Sequence, residues 1–131
     1  MTSTQESGTD RTLAAALRGL AAGRIALGAA ALLAPRQLGR ALGIRLSPES
    51  VYLTRIFGAR AVALGLGYLT APATERPRWQ RLALMVDILD TTHGAGHLAR
   101  GDVARSASAP LVALTATYMA IGATRLARDL R

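Results

Sequence analysis

Apolar residues fall in four long blocks, separated by short stretches where proline and arginine collect. The first runs about 12–34 and stops at Pro35, and the second, about 49–71, stops at Pro72. The third runs about 78–99, after Pro77, and the fourth about 108–127. No stretch alternates with period two, so helices and not strands are expected. Each block holds roughly 20–24 residues and spans about 30–36 Å as a helix. Ser47 and Pro48 read as the cap and first residue of the second helix, and Ser108 with Pro110 open the fourth in the same way. Residues 1–11 are polar and carry no basic leader region, so they read as a disordered tail before one helical domain over 12–131. Two segments, ALGAAALLAP (26–35) and ALGLGYLTAP (63–72), share the pattern A-L-G-x5-A-P, which points to two similar helical hairpins.

What surrounds these helices is decided by their missing polar faces. A soluble four-helix bundle needs a polar stripe on each helix. Residues 25–34 and 61–71 have none, and 131 residues are too few to enclose any helix in protein on every side. Ser106–Thr124 runs for 19 residues without a charge, long enough to cross a bilayer. The expected fold is therefore all-α, a four-helix transmembrane bundle in the cell inner membrane, with the lipid bilayer as its main partner. Composition agrees: 50% of residues are hydrophobic and 18% charged, against about 25% charged in ordinary soluble domains. Ala15, Gly19 and Gly23 recur every four residues, the spacing of a stripe that lets membrane helices approach closely. A homo-oligomer or a membrane-protein partner would extend such packing.

Charge sharpens the picture. All 16 basic residues are arginine, and the formal net charge is +8. Nucleic acid is not the expected partner, because the arginines gather at the borders of apolar blocks with no stacking aromatics between them. Arginine in such positions suits phosphate headgroups, and Trp79 beside Arg78 and Arg81 fits the same level. Tyr52, Tyr68 and Tyr118 read as packing or interfacial residues. With four spans, one side holds Arg11, Arg76, Arg78, Arg81, Arg125, Arg128 and Arg131, and the other Arg36, Arg40, Arg45, Arg100 and Arg105. Seven against five favours both termini in the cytoplasm. The chain has no cysteine, which removes disulfides, thiol redox chemistry and iron–sulfur ligation.

The segment LMVDILDTTHGAGH (84–97) strains the membrane reading and carries the candidate chemistry. Two aspartates at mid-helix cost roughly 5–7 kcal/mol on insertion, while the apolar residues of the third block return only about 2–4. Partners must neutralise them. Arg24 and Arg60 lie near the middles of the first and second blocks, and Asp87 and Asp90 bracket the middle of the third. Depth at mid-span does not depend on helix direction, so these four are expected to meet at one level as a buried charge network.

At about 100° per residue, Asp90, His93 and His97 fall within about 60° of arc, with Asp87 about 60° outside, so all four can face one interior. The His-x3-His spacing beside carboxylates resembles a metal site, but no other block offers an acid or histidine to complete one. Haem ligation fails because residues four apart on one helix cannot approach opposite faces. His93 and His97 stand as a candidate polar or ligand site. Asp87, Asp90 and His93 are also the parts a proton or ion path uses, although arginine partners would hold the aspartates charged. Thr91 and Thr92 beside His93 are expected to back-bond to the preceding turn. No catalytic residue, metal or cofactor is expected, and the role expected is structural or accessory.

The stretches RIALGAAALLAP, YLTRIFGARAVALGLGYL and VDILDTTHG resemble an uncharacterised family of small bacterial four-helix membrane proteins, distantly similar to the DoxX-like proteins. The resemblance covers residues 20–125 and is carried by Arg24, Gly28, Pro35, Arg55, Gly58, Arg60, Gly65 and Asp90. It implies the four-helix membrane fold and no catalytic role. Some DoxX-like relatives are linked to quinone-dependent redox chemistry, which makes a quinone-linked membrane subunit an alternative. An acid often follows the arginine matched by Arg60; here Ala61 stands there, so Arg60 must find Asp87 or Asp90.

Overall fold

Prolines set the helix boundaries. In the computed structural model, which describes the backbone of residues 2–131 and the side chains of 7–131, α1 (Thr2–Leu33) stops just before Pro35. Pro35 then sits at the start of a short helix, α2 (Pro35–Ala41). Pro48 opens α3 (Pro48–Thr70), with the Ser47 hydroxyl accepting from the Ser50 amide at 3.2 Å. Pro77 lies in the first turn of α4 (Arg76–Arg100). This helix ends on Gly101, whose left-handed φ of +68° lets its amide reach back to the His97 carbonyl. The last helix, α5 (Arg105–Asp129), begins earlier than Ser108: its cap is Ala104, Ser108 is buried in the first turns, and Pro110 lies inside the helix.

The described residues are thus all helical, with five helices where the hydropathy pattern predicts four. The extra one, α2, occupies the stretch read as a connection. It buries only Pro35 and Gly39, too short a stripe to show as periodicity. The backbone is helical from Thr2, so the polar residues read as a tail continue α1 as its first turns. Met1 lies outside the described residues. An ion pair from Asp10 to Arg128, 2.7 Å, ties that end of α1 to α5.

Among the described residues, only two stretches, Ser7–Leu33 and Arg105–Asp129, are long and apolar enough to cross a membrane by length and composition. Arg55 and Arg60 in α3, and Asp87 and Asp90 in α4, bring those two helices below the mark. Two helices that could cross a membrane by length and composition thus stand where the blocks predict four.

α1 packs most extensively on α3, and α4 on α5; lighter contacts of α3 with α4 and of α1 with α5 close a ring. Neighbours in the ring run antiparallel, and α1 and α4 lie across its diagonal. The α1–α3 contact is unusually close. A Cβ on Gly28 would stand 2.6 Å from the Gly58 carbonyl oxygen, and one on Gly65 2.6 Å from that of Ala21. Val62 fills the space beside Gly28, and Ile25 the space beside Gly65. An offset of 37 residues carries 26–35 onto 63–72, Ala21 onto Gly58 and Ile25 onto Val62. The sequence echo is thus a local pseudo-twofold axis between two helices pressed backbone to backbone.

The stripe Ala15–Gly19–Gly23 does not form that interface. Ala15 and Gly19 are exposed, and a Cβ on Gly19 would meet nothing within 4 Å. Spacing by four places residues on one face without saying which face is inside. Gly58→Ala is expected to lower stability by about 1–3 kcal/mol through overpacking, whereas Gly19→Ala leaves it unchanged or raises it. Thermal unfolding of the two variants in detergent checks this; equal losses would contradict the glycine contact.

Candidate functional site

Side chains near the middles of α3, α4 and α5 converge in the interior with Arg24, from the second half of α1. Arg24 of α1 reaches across the diagonal and donates to Asp87 of α4. Both side chains are nearly enclosed, 11% and 3% exposed, so their charges depend on each other and not on solvent. Tyr118, one residue past the middle of α5, supports the guanidinium, whose central carbon lies 4.6 Å from the ring centroid. The second pair joins neighbours: Arg60 of α3 donates to Asp90 of α4 at 2.7 Å. Its side chains are 44% and 27% exposed, so it sits at the rim of the bundle. Phe57 lies one turn before Arg60, with its ring centroid 5.6 Å from the guanidinium carbon.

Between the pairs is a cavity of about 30 Å³ bordered by Arg24, Arg60, Asp87, Asp90, Thr115 and Tyr118. That is room for a water or two. The four charged groups and the tyrosine form one polar level inside an otherwise apolar bundle, with formal charges that cancel.

The histidines are not part of it. Around α4, exposure rises with angular distance from Asp87: Asp87 is buried, Asp90 half-buried, and His93 and His97 exposed. The arc expected to face one interior instead turns from inside to outside. His93 Nδ1 is 2.8 Å from the Leu89 carbonyl oxygen of its own helix. His97 Nδ1 is 2.8 Å from Asp102 Oδ1, and Arg100 donates to Asp102 Oδ2 at 3.1 Å. These three close around the left-handed Gly101 as a local clasp on the end of α4. Among the described residues, no group of three or more histidines and acids gathers to hold a metal. Thr92 back-bonds to Ile88 at 2.7 Å, while the buried Thr91 hydroxyl has no partner among the described residues.

Sequence reasoning missed Tyr118 in the polar level and Asp102 in the clasp. Tyr118 was readable from its depth, near the centre of the last helix, as Arg24 and Arg60 were. Asp102 had only its proximity to His97 and Arg100 as a signal. No family model matches the chain, and neither a curated protein nor a solved structure is similar to it.

Asp87→Asn strands an enclosed guanidinium and is expected to cost about 3–5 kcal/mol. Asp90→Asn costs less, because the freed Arg60 can extend its stem toward the surface. Unfolding midpoints in detergent test the order, and a larger loss at Asp90 would overturn it. A double-mutant cycle on Arg60→Gln and Asp90→Asn should show coupling, whereas strict additivity counts against the pair.

Hydrogen bonds from His97 and then Arg100 hold the Asp102 carboxyl below its usual range. A folded-state value below the unfolded one stabilises above the unfolded carboxyl pKa, about 4, and the effect is lost as pH falls through the folded value. Amide-exchange protection of the last turn of α4 should follow that course. In Asp102→Asn it should be weaker and flat over the same range.

Proposed function

We propose that the chain is a small integral membrane protein of structural or accessory role, a four-helix transmembrane bundle held in register by its Arg–Asp network. The observation that carries this reading is an inverted distribution of polarity. Among the described residues the interior holds alanines and glycines, a few larger side chains (Leu13, Leu17, Val51 and Leu84) and the Arg24–Asp87 pair. The outside of α3 exposes Tyr52, Leu53, Ile56, Leu66 and Leu69, and α4 exposes Leu82, Met85, Ile88 and Leu89. A soluble bundle would put these residues inside and the ion pair outside. Exposed apolar faces on adjacent helices suit lipid or another membrane protein.

The two most apolar helices support the same conclusion. Only 22% of the Ser7–Leu33 window and 17% of the Arg105–Asp129 window is buried, unlike the central helix of a soluble domain. α3 and α4 join them as spans because pairing cancels their mid-helix charges. α2, with Arg36 and Arg40 exposed and Pro35 and Gly39 buried, lies along the surface at one end. The arginine balance favours an inner-membrane protein with both termini cytoplasmic. The resemblance to the DoxX-like proteins accords with this arrangement and brings no activity.

A proton- or ion-handling reading, through Asp87, Asp90 and His93, draws on the small cavity between the ion pairs. Guanidinium groups already occupy both carboxylates, and His93 faces outward, so the structural reading is preferred.

Fractionation tests the proposal: the chain should stay with membranes through an alkaline wash and come off only in detergent. Recovery in the supernatant without detergent would end the membrane claim. The absence of native cysteine makes orientation measurable. Gly8→Cys and Leu130→Cys should both be labelled by an impermeant thiol reagent only after cells are opened. Labelling of either in intact cells would overturn the orientation.

A further inference from the structure

At the end of the bundle holding Asp10 and Arg128, arginines from three helices surround one cleft. Arg18 of α1, Arg76 of α4 and Arg125 of α5 line about 220 Å³ together with Tyr68 of α3 and Gln80 of α4. All four long helices contribute. Arg18 has no ion-pair partner among the described residues, and Arg76 donates only to the Ala71 carbonyl, at 3.2 Å. Arg125 alone is paired, with Asp129 at 2.9 Å. Three arginines thus line one cleft with a single paired carboxylate among them, a net formal charge of +2 that favours a bound anion. Guanidinium groups with a phenol and an amide supply the donors that a phosphate takes. The volume is below the roughly 300–1,000 Å³ of drug-sized sites and in scale with an ion or a headgroup.

The depth of the cleft indicates the source of that phosphate. Arg18 precedes Arg24 by six residues, Arg76 precedes Asp87 by eleven, and Arg125 follows Tyr118 by seven. At about 1.5 Å per residue the cleft lies about 9–16 Å along the axis from the polar level. If that level is the bilayer centre, the cleft is at the edge of a hydrocarbon core about 30 Å thick. Tyr68 and Trp79, whose ring covers Gly67, stand at the same height, as aromatic residues do at a membrane interface.

We propose that the Arg18–Arg76–Arg125 cleft binds a phosphate-bearing anion and, in the bilayer, takes the headgroup of an anionic phospholipid. The assignment of source rests on the membrane reading above; the anion site itself does not. The test uses the full chain in detergent and in vesicles. Retention of phosphatidylglycerol is read by native mass spectrometry, and inorganic phosphate is titrated by calorimetry. Arg18→Gln and Arg76→Gln should each weaken phosphatidylglycerol binding about fivefold, the effect of one arginine near an anionic surface. Arg105→Gln, the same charge change at the opposite end, should leave it intact; circular dichroism checks that each variant is folded. Equal retention by all three variants would overturn the site. Arg18-dependent binding of inorganic phosphate without lipid retention would overturn the headgroup assignment and leave a site for a soluble phosphate. Flotation with phosphatidylcholine vesicles separates the two claims: a chain that floats but shows no preference for phosphatidylglycerol keeps its membrane assignment and loses the cleft.

Discussion

The ion pair between Arg24 and Asp87 is the constraint around which the bundle is arranged. Both groups are enclosed, so each is tolerable only in the presence of the other. The pair also joins helices that are not neighbours. α1 and α4 lie across the diagonal, and a bond between them fixes how far each is turned about its own axis. With α4 so turned, Asp90 comes round to face Arg60 on the adjacent α3, and the histidines are carried to the outside. Tyr118 completes the arrangement by presenting its ring to the guanidinium from the fourth helix.

Such a pair can exist only in a bundle narrow enough for one arginine to cross it. The glycines supply that narrowness. Gly28, Gly58 and Gly65 bring the backbones of α1 and α3 together, with Val62 and Ile25 packed beside the contact. The pseudo-twofold relation repeats the same packing, a small residue under a β-branched one, at both ends of the contact. Close backbone contact then adds to the modest enclosed apolar bulk of Leu13, Leu17, Val51 and Leu84.

Much of this was legible in the sequence, and the limits have physical causes. Helix type and approximate extent followed from block length and proline placement. Mid-span depth grouped Arg24, Arg60, Asp87 and Asp90, because depth is a one-dimensional quantity that a sequence records directly. Rotation about the helix axis is not recorded in that way. The angular argument placed His93 and His97 on one arc with Asp90, yet it had no reference for where the interior lay. The same gap misassigned Ala15 and Gly19. PRQLGRA was too short and too polar to show a helical period, so α2 went unread. The cleft at Arg18 exists only through convergence of four helices, and no local pattern announces it.

The diagonal placement of Arg24–Asp87 bears on the order in which the chain is made. For a membrane chain inserted from its N-terminus, α1 and α3 are synthesised first, carrying Arg24 and Arg60 with no acid at their level. Their counter-charges arrive only with α4, which cannot settle in lipid without them. In such a chain each half would be electrically incomplete during biogenesis, and α4 would enter the bilayer as the neutralising partner of helices already there.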